Sequence, residues 1–167
     1  MSFYEDALSV TTLVRPARPE DEAAIAALLQ PWIDQGLVLP RQVRADEFLV
    51  AEDHTGLIGA VGLAAWTDQV VELSSLVSAR PGTGRMLVEA AVDAAAHRGH
   101  HTVVALTGTP AFFHKVGFGL VQDGAPPHRQ RASACELGCA VAVKAARCAA
   151  CPRRHTCDQN LFSRRVA

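Results

Sequence analysis

A chain of 167 residues, 49% apolar and 20% charged, can bury one substantial core. Its formal net charge of −1 argues against nucleic acid or an anionic membrane surface as a partner. No apolar run is long enough to cross a bilayer, and the start Met1-Ser2-Phe3-Tyr4-Glu5-Asp6 lacks a signal-peptide pattern, so a cytoplasmic location is expected.

Residues 1–11 read as a lead-in to the first element. Val14-Arg15-Pro16-Ala17-Arg18 then leads to a helix start at Pro19-Glu20-Asp21, where acidic side chains complement the positive helix end. Ile25, Leu28 and Leu29 give that helix its apolar face, and Pro31 falls in or just after its last turn. Asp34 to Arg41 is a loop or a short second helix. Strands are expected near Phe48–Glu52 and Leu57–Ala65, joined by the hairpin turn Asp53-His54-Thr55-Gly56. Thr67-Asp68-Gln69 is another turn.

An apolar strand ending Leu76-Val77-Ser78 runs into Ala79-Arg80-Pro81-Gly82-Thr83-Gly84 and then an alanine-rich helix from Arg85 to about His97, closed by Gly99. With free N–H groups at a helix start and no bulky side chains in front, Gly82, Thr83, Gly84, Arg85 and Met86 read either as an anion cradle or as a plain strand–helix turn with Gly84 near the helix start. Three ligands fit such a cradle: a nucleoside triphosphate, a dinucleotide, or coenzyme A. The first fails because no Gly-Lys-Ser/Thr follows. The second lacks the third glycine and its acidic partner. A strand at Val103–Thr107 and the segment Ala111-Phe112-Phe113-His114-Lys115-Val116-Gly117-Phe118 complete the pattern.

This order and these words resemble the GNAT superfamily of acetyl-coenzyme A-dependent N-acetyltransferases, over about residues 12–121. The resemblance implies an α/β fold with a mixed central sheet and helices on both faces. Gln35-Gly36-Leu37-Val38-Leu39-Pro40-Arg41, Phe48 to Glu52 and Ala105-Leu106-Thr107 look like the small amino-acid acetyltransferases related to N-acetylglutamate synthase. The function implied is acetyl transfer from acetyl-CoA to the amine of a small, glutamate-like amino acid. An acetyltransferase of another amine or a protein acceptor, and a catalytically weak acyl-CoA-binding regulatory domain, are the alternatives. The partner is a small-molecule amine, and a homodimer is compatible with the pattern.

The resemblance also distributes roles. Backbone N–H groups of Leu76, Val77 and Ser78 would meet the thioester carbonyl. Glu72, at the first position of the relatives' Glu-Ile-Arg, would accept the amine proton through water; the arginine of that triplet is Ser74 here. Arg41 would hold the acceptor carboxylate, a task suited to a planar guanidinium. Thr107 adds a hydroxyl at a strand end, as a substrate contact or as a simple strand terminus. The relatives' tyrosine general acid has no counterpart, because Phe113 fills that region and the one tyrosine is Tyr4.

Residues 122–167 read as a linker and a short Cys-rich tail. Five cysteines in a reducing compartment are ligands or free thiols rather than disulfides. Cys148-x-x-Cys151, with Cys157 beyond and Cys139 or Cys135 before, has metal-ligand economy. The expected set is Cys139, Cys148, Cys151 and Cys157, around zinc or an iron–sulfur cluster; reduced thiols in a packed tail are the alternative.

Overall fold

The computed structural model describes residues 11–122, 124–130, 137 and 139–166. One seven-stranded mixed sheet runs through it. In chain order the elements are β1 (Leu13–Pro16), α1 (Glu22–Asp34), β2 (Phe48–Asp53), β3 (Gly56–Ala65), β4 (Val70–Ser78), α2 (Thr83–His97), β5 (Thr102–Thr107), α3 (Pro110–Lys115), β6 (Gly119–Leu120), α4 (Cys139–Cys148) and β7 (Asn160–Arg165). The spatial order is β1-β2-β3-β4-β5-β7-β6, and among the described strands only the β4–β5 pair is parallel.

Alternation along the strands divides the side chains between two layers. Leu49, Ala51, Val61, Leu63, Val71, Leu73, Val103, Ala105 and Phe162 meet α2 through Leu87, Val88, Ala91, Val92 and Ala95. Those helix positions recur at the spacing that makes one apolar stripe. On the other face Phe48, Val50, Ala60 and Val77 pack with Ile25 and Leu29 of α1. Farther along that face, Trp66, Val70, Val104 and Leu161 pack with Ala140 and Val141 of α4.

The structure corrects the division at residue 121. The tail supplies α4 and β7, and β7 lies between β5 and β6 rather than outside the core. Leu161 and Phe162 are fully buried, one on each face of the sheet. The short polar run Asn160-Leu161-Phe162-Ser163-Arg164-Arg165 carries too weak an apolar alternation to be read as a central strand from sequence. The helix expected from Arg85 begins earlier, at Thr83.

The entry to α1 is fastened by charge. Arg15 on β1 donates to both Asp21 oxygens at 2.7 and 3.1 Å and to both Glu52 oxygens at 3.0 Å. Asp21 also accepts from the Arg18 N–H at 2.8 Å. The Arg15 hydrogen bonds, and then the Arg18 amide, hold the Asp21 carboxyl below its ordinary range. Arg15 likewise lowers Glu52. A depressed carboxyl contributes stability above its unfolded pKa and loses it as pH falls through its folded value. Stability is therefore expected to drop on acidification below about pH 4. In Asp21→Asn the stability at neutral pH should fall by roughly 1.5–3 kcal/mol of lost charge-assisted bonding, seen as a lower melting temperature, and the acid limb should flatten. An unchanged acid limb in a calorimetric pH series refutes this assignment.

Candidate active site

β4 and β5 pair only from Val70 to Leu73 against Thr102 to Ala105, while β4 runs on to Ser78. A bulge explains the parting. Gly62 faces Ser74 and Ala60 faces Val77, so β4 carries one extra residue there, and Ser75 takes φ 52°. A bulge bends and overtwists its strand, which peels the end of β4 away from β5. The Ala79 N–H donates back to the Ile58 carbonyl of β3 at 2.8 Å. By strand alternation the Leu76 and Ser78 N–H groups then point the opposite way, into the opening. Of the three expected donors, only Leu76 and Ser78 thus face the opening; the Val77 N–H points with that of Ala79 toward β3, and the Val77 side chain is buried against α1.

At the end of β4 the chain turns through Ala79–Gly82 into α2, with Gly82 in the left-handed region ahead of the first helical residue. The first-turn N–H groups of a helix have no intrahelical partners, so Thr83, Gly84, Arg85 and Met86 sit at the mouth of the opening. Two of these donors are partly used: Thr83 N–H reaches the Arg80 carbonyl and Met86 N–H the Gly82 carbonyl, both at 3.3 Å. Arg80 turns away from the mouth, pairing with Asp53 at 2.8 Å and donating to the Thr55 hydroxyl at 3.0 Å. A Cβ on Gly84 would stand 3.6 Å from the Phe112 ring of α3. Gly84→Val would fill the remaining space and is expected to weaken acetyl-CoA binding about tenfold or more in calorimetry; binding as tight as the parent's would reject this cradle. On the α1 side a cavity of about 220 Å³ adjoins the opening, lined by Ala27, Leu28, Pro31, Trp32, Val77, Ser78 and Ala79. A larger cavity, about 400 Å³ beside Gln69 and His101, lies at the opposite end of β4 and β5 and does not meet this site.

The residues expected on the acceptor side come together in part. Arg41 donates from Nη1 to the Ser74 hydroxyl at 3.0 Å, pairs with Glu47, and lies 5.0 Å over the Phe48 ring. A Cβ on Gly62 would stand 2.7 Å from Ser74 Oγ and 3.2 Å from Arg41 Nη1, so only glycine there lets the guanidinium settle on the strand. Thr107 is buried and accepts from the Thr109 N–H at 2.8 Å, which shapes the turn into α3. Phe113 is a core residue, edge-on to Phe112 and Phe118. Among the described residues there is no tyrosine; Tyr4 lies outside them.

Glu72 differs from the sequence expectation. Its carboxylate is buried and already engaged, accepting from Trp66 Nε1 at 2.7 Å and pairing with Lys144 Nζ of α4 at 2.7 Å. It does not stand as a free base in the opening; it ties α4 to the sheet. Lys144 was invisible to sequence reading because nothing marked α4 as part of the core.

The expected metal set does not assemble. Cys139 is the first residue of α4 and Cys148 the last. Nine residues of helix separate their Cα atoms by about 13 Å, far more than one ion can bridge. Among the described residues no group of three His, Cys, Asp or Glu side chains is arranged to hold a metal ion. Cys135 lies outside the described residues. Cys148, Cys151 and Cys157 are free thiols, and burial above all pushes the Cys148 thiol up, against the lowering by Lys144.

The sequence matches no known family profile. It is 27% identical over 157 residues to an uncharacterized N-acetyltransferase of Chlorobaculum tepidum, covering 89% of this chain and 92% of that protein. Its fold matches N-acetylglutamate synthase from Neisseria gonorrhoeae, solved with coenzyme A and N-acetyl-glutamate, with a TM-score of 0.71 at 23% identity. That match covers 94% of this chain and 35% of the synthase, so the chain spans about a third of that protein. It also matches a GNAT family N-acetyltransferase from Escherichia coli in complex with CoA, with a TM-score of 0.57 and 23% identity over 95% of this chain and 83% of the other. The sheet with its parted fourth and fifth strands, the glycine turn into α2 and these likenesses together give the chain the fold of the GNAT N-acetyltransferases.

Proposed function

We propose that the chain is an acetyl-CoA-dependent N-acetyltransferase whose acceptor is the amine of a small amino acid. The observation that carries this reading is the pairing of an unpartnered β4 edge with a fixed guanidinium, Arg41 on Ser74, on the adjoining face. The α2 start would receive the pyrophosphate of the co-substrate. The Leu76 and Ser78 N–H groups would donate to the thioester carbonyl, most strongly as its oxygen gains charge. Arg41 would hold the acceptor carboxylate, which leaves the amine to face the carbonyl carbon. The neutral amine forms the C–N bond, the C–S bond breaks, the thiolate leaves with the electron pair, and water in the opening takes the amine proton.

The N-acetylglutamate synthase similarity supports an acidic amino acid as the acceptor. A second reading, a weakly catalytic acyl-CoA-binding regulatory domain, is favoured by Phe113 in the tyrosine's place and by the engaged carboxylate of Glu72. One experiment separates them. Purified protein is screened with acetyl-CoA and a panel of amino acids, following thiol release, alongside thermal shift with acetyl-CoA alone. Release with acidic amino acids supports the proposal. A thermal shift without release on any amino acid, simple amine or peptide supports the regulatory reading. Release only with simple amines or peptides moves the acceptor away from amino acids.

A further inference from the structure

The tail reaches the acceptor side of the site. Arg153 donates from Nη1 to the Gly36 carbonyl, a part-buried hydrogen bond between residues 117 positions apart. Its other terminal nitrogen lies so close that a Cβ on Gly36 would meet it at 3.0 Å. Gly36 is where α1 stops. With φ at +73° it lets its own N–H reach the Ile33 carbonyl at 2.9 Å and the Leu37 N–H reach the Trp32 carbonyl at 2.8 Å. That pair of bonds satisfies the helix end and leaves the Gly36 carbonyl directed outward, where Arg153 takes it.

From Gly36 the chain crosses to Arg41 without regular structure. A loop with no ladder of its own is held only by what touches it. Arg153 grips one end, Val38 packs beside α1 and donates to the Trp32 carbonyl at 3.2 Å, and the Ser74 and Glu47 contacts of Arg41 hold the other end. Arg153 is itself anchored. Arg147 of α4 donates to the Ala65 carbonyl of β3 at 3.0 Å, and Lys144 pairs with Glu72 on β4. The turn that follows is closed by Cys151 N–H to the Cys148 carbonyl at 3.0 Å and Thr156 N–H to the Arg153 carbonyl at 3.1 Å.

We infer that Arg153 is a positioning residue for the acceptor site: through the Gly36 carbonyl it holds the 36–41 loop in the conformation that sets the Arg41 guanidinium on Ser74. This rests on the acceptor role proposed for Arg41. It gives the Cys-rich tail a task in acceptor binding without any direct contact with the reacting atoms.

Two measurements test it. The first needs no activity: amide hydrogen exchange of residues 36–44 in the parent, Arg153→Ala and Arg153→Lys. Exchange there should quicken about tenfold in Arg153→Ala and partly recover in Arg153→Lys, with α2 unchanged. Unchanged exchange in the loop overturns the inference whatever the chain acetylates, and so does a uniform rise across α2 and the sheet. The second is kinetic. Arg153→Ala should raise the acceptor KM about five- to tenfold, with kcat and the acetyl-CoA KM little changed. In an Arg41→Ala background the same substitution should add almost nothing, because its effect passes through Arg41. Additive losses, or a fall in kcat alone, overturn the positioning role. A parent chain with no transfer to any amino acid defeats the acceptor reading, and with it Arg153's place in that site. The exchange result would then still decide whether Arg153 holds the loop.

Discussion

Phe162→Ala should lower the melting temperature by roughly 10 °C, and a chain ending at residue 159 should show no cooperative transition. Phe162 is fully buried and packs in the core with α2 and Phe113 from β7, an interior strand of the sheet. Truncating a buried phenylalanine to alanine costs about 3–5 kcal/mol, and each kcal/mol shifts a domain of this size by about 2–4 °C. Removing all of β7 does more. It strips β5 of its partner from Thr102 to Thr107, leaves β6 unpaired, and opens both faces at Leu161 and Phe162. Circular dichroism on the two variants decides the matter. A cooperative transition and an acetyl-CoA shift retained in the shortened chain would show that residues 160–165 are dispensable.

Arg41→Ala should raise the acceptor KM ten- to a hundredfold while leaving the acetyl-CoA KM near the parent value. The estimate is the loss of one charge-assisted hydrogen bond, about 1.5–3 kcal/mol. The geometry supports a selective effect. Arg41 lies on the face of β4 that carries Ser74, whereas the α2 start and Phe112 lie on the other side of the opening. Glu47 takes one hydrogen of Nη2, Ser74 one of Nη1 and the Gln42 carbonyl that of Nε, which leaves one N–H on each terminal nitrogen for a carboxylate. Arg41→Lys should recover only a part, since an ammonium lacks the fork that grips Ser74 and a carboxylate together. Steady-state kinetics with each substrate varied in turn gives the answer. An unchanged acceptor KM would remove Arg41 from the site.

The candidate site could be proposed from local sequence because its parts are local. The proposed glycine turn into α2 would act through backbone N–H groups, and a run of small residues before an alanine-rich helix marks where they lie. Arg41 was picked out by the words around it. Its partnership with Ser74 was not, because it needs a β3 glycine opposite and a partner 33 positions farther along the chain. Glu72 was placed on the right strand, but its role depends on what covers it. Trp66 and Lys144 close over the carboxylate only after α4 docks.

The sequence by itself determined the α1, β2, β3, α2 and β5 elements, the glycine turn into α2 and the fold they build. Each rests on periodicity, a glycine or a proline acting within a few residues. The tertiary structure alone decided the rest. Whether β4 stays with β5 hangs on one extra residue measured against β3. Whether the tail is an appendage or an interior part of the sheet hangs on a strand that must pass between β5 and β6, through contacts with residues far away in the chain. Whether four cysteines meet hangs on the rigid rise of a helix, which holds Cys139 and Cys148 at opposite ends of α4. Spacing along a chain does not report distance in space until the backbone between is known.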